Sequence, residues 1–184
     1  MNKKVYITVV GIVSLLALSI SLSVSAEEKA KKSWGDVQKE RRWDQQACSN
    51  PQGQVASADM GKFMKMQKDE IKYPEGNAYS GDAEKGEVLF KDRPKKGGGN
   101  CVACHCQSAP GKDEKFACGT VGPNLHGFAK RGMDAKWAYD KVYNGWSITP
   151  CSIMPRFGIH GMLDPEKVSH IVAYLLDKNS ALNK

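Results

Sequence analysis

Beyond Val24 the chain has no apolar run long enough to cross a membrane, and nowhere does it alternate apolar and polar residues long enough to build a sheet. It has no internal repeat. With 41% hydrophobic, 26% charged and 8% aromatic residues it also lacks the bias of a collagen, a disordered tail or a coiled coil. Nor is it strongly basic: 27 Lys and Arg against 20 Asp and Glu leave +7, and Lys3 and Lys4 belong to a leader. What remains is an ordinary globular composition, and helical spacings with no strand-like alternation predict an all-α fold.

The leader reads Met1, Asn2, Lys3, Lys4, then an apolar run from Val5 to Leu22, then Val24, Ser25, Ala26. These are a positive region, an apolar region and a small-residue cleavage site, so export to the periplasm is expected, with residues 1–26 as signal peptide. The run is long for such a region, and retention as an N-terminal anchor is the alternative. Once cleaved, the chain has no membrane attachment to expect. An oxidising destination also suits the even count of cysteines, Cys48, Cys101, Cys104, Cys106, Cys118 and Cys151.

Residues 27–79 read as a polar, helical extension packed on the domain that follows. One helical stretch carries Trp34, Val37 and Trp43; a second, behind a Ser57 cap, carries Met60, Phe63, Met64 and Ile71 at helical spacing. The methionines there suit an apolar helix face better than a metal relay. A compact domain is expected over 80–184. Asp82 caps a helix bearing Ala83, Gly86, Leu89 and Phe90; another runs from about Asp134 to Tyr143; a last one starts at Asp164 and Pro165 and carries Val168, Ile171, Val172, Leu175 and Leu176. Long Gly- and Pro-punctuated loops join them, as expected of loops that wrap something.

Cys101, Val102, Ala103, Cys104 and His105 form a C-x-x-C-H run, the pattern of covalent haem c attachment. On a helical turn both thiols can reach the vinyl groups along one porphyrin edge, and the next residue brings its imidazole to the iron. A disulfide oxidoreductase would want a strand before the motif and a βαβ pattern, and neither is visible. A zinc site using Cys101, Cys104, Cys118 and Cys151 would leave His105 idle.

The second axial ligand decides between electron transfer and small-molecule chemistry. The candidates are Met133, Met154, Met162, His126, His160 and His170. Met154, followed by Pro155 in a loop between two helices, is the choice, with His160 its rival. Near Pro123 a backbone carbonyl is placed to accept the proximal imidazole N–H, an ordinary surface turn being the bland alternative. Four cysteines remain and allow three connectivities. Cys106 with Cys118 closes a short loop beside His105, and Cys48 with Cys151 staples the extension to the loop that presents Met154. Lys91, Arg93, Lys95 and Lys96 form a basic loop suited to steering an acidic redox partner, and without stacking aromatics beside it nucleic acid is not expected.

Together these residues resemble the class I cytochromes c, and within them the SoxX family, the monohaem subunits of SoxAX complexes. The resemblance is carried by Gly98, Gly99 and Asn100 leading into the haem motif, by Gly122, Pro123, Asn124 and Leu125, by Cys151 to Gly158, and by the closing Ile171 to Leu176. It implies one haem c held by Cys101 and Cys104 with His105 and Met154 as axial ligands. It further implies a heterodimer with a SoxA-like haem subunit, which carries out the sulfur chemistry on the SoxYZ carrier, while the SoxX-like chain passes electrons to a downstream acceptor. Paired cysteines at Cys48 and Cys151 agree with that family, whereas Cys106 and Cys118 depart from it. A stand-alone monohaem carrier is the other reading.

Overall fold

The computed structural model describes residues 41–50, 52–109 and 119–184. The leader, Trp34, Val37 and Cys118 lie outside the described residues. The chain divides into two units, Met1–Ser49 and Asn50–Lys184. Of the first, the described part is a short helix, α1 (Trp43–Cys48), beside which the Arg42 guanidinium donates to the Asp44 carboxylate.

The second unit is helical, and the described residues contain no strand, as the missing alternation predicts. Its helices are α2 (Met60–Asp69), α3 (Ala83–Lys91), α4 (Ala135–Tyr143) and α5 (Pro165–Leu176), joined by loops that include short 3-10 turns. Residues 50–79 thus belong to the same compact unit as 80–184.

Three helices start where short acidic side chains can satisfy otherwise orphaned amides. Asp82 accepts the Glu84 and Lys85 N–H groups, Asp134 accepts that of Trp137 at 2.6 Å, and Asp164 that of Lys167 at 2.8 Å. The Lys85 and Glu84 amides hold the Asp82 carboxyl below the ordinary carboxylate range against a smaller opposing effect of burial. Ser57 does not play the part expected of it. It opens a separate 3-10 turn, Ser57–Asp59, and α2 begins after that turn with no side-chain cap.

The core forms where α3 and α4 lay their apolar faces on α5. Phe90, Tyr139, Leu163, Val168, Ile171, Val172 and Tyr174 are fully or almost fully buried there. The α3–α5 crossing is close enough that a Cβ at Gly86 would overlap the His170 carbonyl, which is why a glycine stands there. Two hydrogen bonds fix its register: Gly81 N–H donates to Ser169 O at 3.0 Å, and Asp82 N–H to His170 Nδ1 at 2.9 Å.

The last turn is tied down by Asn183. Its amide donates to Leu175 O, Asp177 O and Ser180 Oγ, and its carbonyl oxygen accepts the Ala129 N–H. That last bond ties the chain's final residues to the 3-10 turn Phe128–Arg131, which borders the cleft described next.

Candidate functional site

The C-x-x-C-H run folds as the turn Cys101–Ala103, with Asn100 in the left-handed region (φ 49°) redirecting the chain into it. Asparagine tolerates that conformation better than most residues. The turn is closed by Cys104 N–H and His105 N–H, both donating to Cys101 O, at 3.1 and 2.9 Å.

Cys101 and Cys104 are free thiols, while Cys48, Cys106 and Cys151 are disulfide-bonded. Burial pushes the Cys101 thiol up to about 12, with Cys104 adding to the shift and a backbone hydrogen bond opposing it. A redox-active C-x-x-C needs a thiol shifted downwards, so this environment disfavours disulfide exchange. The zinc alternative loses a member as well, because a Cys151 sulfur held in a disulfide is not a thiolate ligand.

His105 Nδ1 lies 2.8 Å from Pro123 O. A carbonyl can only accept, so the hydrogen bond places the proton on Nδ1 and leaves the Nε2 lone pair free for a metal. Gly122 makes the approach possible: a Cβ there would stand 2.6 Å from His105 Nδ1 and 2.9 Å from Nε2. The glycine cannot easily retreat, since its N–H donates to Cys104 O at 2.8 Å. Gly122→Ala is therefore expected to destabilise the protein by about 1–3 kcal/mol, the usual range for overpacking. Chemical denaturation measures this, and an unchanged midpoint would show that the 119–125 loop yields freely.

Cys101, His105 and Met154 line one cleft, together with Pro123, Leu125, Phe128, Val142, Ile171 and other apolar residues. It holds a cavity of about 150 Å³ that opens to solvent. Of the second-ligand candidates, only Met154 is in this lining. His170 accepts the Asp82 N–H instead, Met162 packs against the core, Met133 is exposed, and His160 lies on the surface, held below the ordinary imidazole range by burial and by Arg156.

Sequence reasoning missed two cations in the lining, Arg131 and Lys141. Arg131 donates to Asn124 O and His126 O, and Lys141 donates to Thr149 Oγ1 at 2.8 Å. Burial holds the Lys141 amine below its ordinary range. Trp137 lines the cleft one turn before Lys141 on α4. A cation spaced one turn from an aromatic on an otherwise apolar helix face was the available signal.

Fold and cleft define an all-α domain built around an apolar cleft. The chain belongs to the same family as an uncharacterized lipoprotein of Aquifex aeolicus (strain VF5), to which it is 45% identical over 86% of its own length and 84% of the relative's. A solved structure, SoxXA from P. pantotrophus, is similar over 63% of this chain and 96% of the neighbour's, with 23% identity and a TM-score of 0.46. No protein-family model matches the chain.

Proposed function

We propose that this chain is an exported monohaem cytochrome c and the electron-accepting subunit of a thiosulfate-oxidising complex, similar to SoxX. The observation that carries the haem reading is a free C-x-x-C pair whose first cysteine, Cys101, lines one apolar cleft together with the His105 imidazole, its Nδ1 proton on Pro123 O, and the Met154 thioether. In this reading Cys101 and Cys104 hold the haem through thioether bonds, and His105 and Met154 are its axial ligands. When bound, the haem supplies one-electron iron chemistry.

The protein's own residues set how that chemistry runs. Donation from His105 Nδ1–H to Pro123 O fixes the ring plane and raises electron density at Nε2. The Met154 thioether, a soft ligand, favours the reduced iron and so a relatively high potential. Arg131 and Lys141 would meet the carboxylates of the porphyrin, and the apolar walls keep water from the ring. The disulfides of the reading join Cys48 to Cys151 and Cys106 to Cys118, in keeping with the bonded state of Cys48, Cys106 and Cys151.

The sulfur chemistry belongs to a SoxA-like partner. Joining thiosulfate to a carrier thiol on SoxYZ forms a sulfur–sulfur bond and releases one proton and two electrons, which this subunit would pass singly to a downstream acceptor. The SoxX-like motifs around Met154 and the closing helix support this narrower reading. The leader and the lipoprotein description of the Aquifex relative support export to the periplasm.

Isolation from the native host under mild conditions, with intact mass measurement and haem staining after denaturing electrophoresis, tests both parts. One covalent haem on this chain and a second haem polypeptide in the purified species are the expected results. A bare polypeptide mass overturns the haem reading, and a haem-bearing monomer leaves a stand-alone carrier in place of the complex.

A further inference from the structure

The loop that carries Met154 is held by a buried polar network anchored on helix α2. Gln67 and Asn144 are fully buried, and Arg156, two residues beyond Met154, is 4% exposed. Asn144 Nδ2 donates to Gln67 O at 2.9 Å and to Gln67 Oε1 at 3.1 Å, and Arg156 Nη1 donates to the same Oε1 at 3.2 Å. One amide of α2 therefore grips both ends of the 144–156 segment.

Inside that segment Trp146 is the second anchor. Its ring lies under the Arg156 guanidinium at 4.0 Å and packs against Phe63 of α2, centroids 5.8 Å apart. Its Nε1–H donates to Ser152 O at 2.8 Å, and Ser152 Oγ in turn accepts the Met154 N–H at 3.2 Å. A path of direct contacts thus runs from Phe63 and Gln67, one turn apart on α2, to the backbone of Met154.

We propose that Gln67 and Trp146 are positioning residues for the Met154 thioether, so that helix α2 acts as a brace setting how firmly the iron keeps its second ligand. The proposal rests on the haem reading above. Buried amides and an indole N–H are a costly way to pack a helix where apolar side chains would suffice, because each unpaired group left by a substitution loses its hydrogen bond without regaining water. Such a network pins one geometry, which apolar packing alone does less sharply. A loop bearing an exchangeable ligand needs that, since any loosening lets an external ligand compete for the iron.

The test uses the holoprotein with Gln67→Leu and Trp146→Phe, the second keeping a ring against Phe63 and Arg156. In each, ferric iron should bind cyanide about tenfold more tightly than in the wild type, the factor that a lost hydrogen bond of ordinary worth supplies. The near-infrared absorption of the thioether–iron bond should weaken in parallel. Gln67→Glu keeps the acceptor for Arg156 and Asn144 and should restore wild-type cyanide affinity. If both Gln67→Leu and Trp146→Phe bind cyanide as the wild type does, while Met154→Ala binds it more tightly, the brace is overturned and the ligand assignment stands. If Met154→Ala is itself unchanged, the ligand assignment fails, and the brace with it. Should Gln67→Leu not fold, Trp146→Phe decides alone.

Discussion

Gly86→Ala is expected to cost the protein about 3 kcal/mol or more, at or beyond the upper end of the overpacking range and a large part of the stability of a domain this size. The reason is what the new methyl would meet. It would overlap the His170 carbonyl oxygen on α5 and stand 2.9 Å from the Tyr174 Cβ. The first is backbone inside a helix, so no side-chain rotation relieves it. Sliding α3 along α5 is no remedy either, because the bonds from Gly81 N–H and Asp82 N–H to Ser169 and His170 fix the crossing. The helices would have to part, exposing Phe90 and Tyr174, whose rings pack 5.4 Å apart across the contact.

Gly61 supplies the contrast. It lies in α2 with nothing within 4 Å of its would-be Cβ, so Gly61→Ala should raise stability by about 0.5–1 kcal/mol by narrowing the unfolded ensemble. Urea denaturation of both variants measures the pair. Equal midpoints would mean that the crossing tolerates separation.

On the proposed haem reading, with Met154 as the second axial ligand, Met154→Ala is expected to raise the affinity of the ferric iron for cyanide about a hundredfold or more, since an open sixth position would remove the internal competitor, and each 1.4 kcal/mol of lost competition is about a factor of ten. The reduction potential should fall at the same time, because the ligand that favours the reduced iron is gone. Met154 is singled out because it alone of the candidates lines the cleft: His170 already spends a ring nitrogen on Asp82, and Met162 is packed on the core. Spectroelectrochemistry and cyanide titration read the two effects. A variant with unchanged potential and unchanged affinity would move the assignment to His160, which would have to turn inward from the surface.

Much of this was legible in the residue order. Asp82, Asp134 and Asp164 announced three helix starts because capping is a local transaction between a side chain and amides two or three residues on. The Pro123 carbonyl beside His105 was readable for a related reason: a metal-binding imidazole needs an acceptor for its other nitrogen, and the 119–125 loop is the rigid, non-helical segment that follows. Ser57 misled because a serine before an apolar stripe fits a 3-10 turn as well as a helix cap.

The polar network around Gln67 was hidden in pattern. Gln67 falls on the apolar face of α2 with Met60, Phe63 and Met64, and periodicity treats an amide there as a blemish. Its meaning depends on Asn144 and Arg156, which are distant in sequence, and no local rule pairs them. Lys141 and Arg131 stayed unread likewise, because one side of each is defined only once α4 and the 128–131 turn close around the cleft.

The α3–α5 crossing also bears on how the chain finds its shape. Asp82 and His170, which meet there, are 88 residues apart in sequence. Bringing such distant segments together demands a large loss of chain freedom before any contact rewards it. Although helical, the domain should therefore refold more slowly than a simple bundle of its size, with docking of the final helix as its late step.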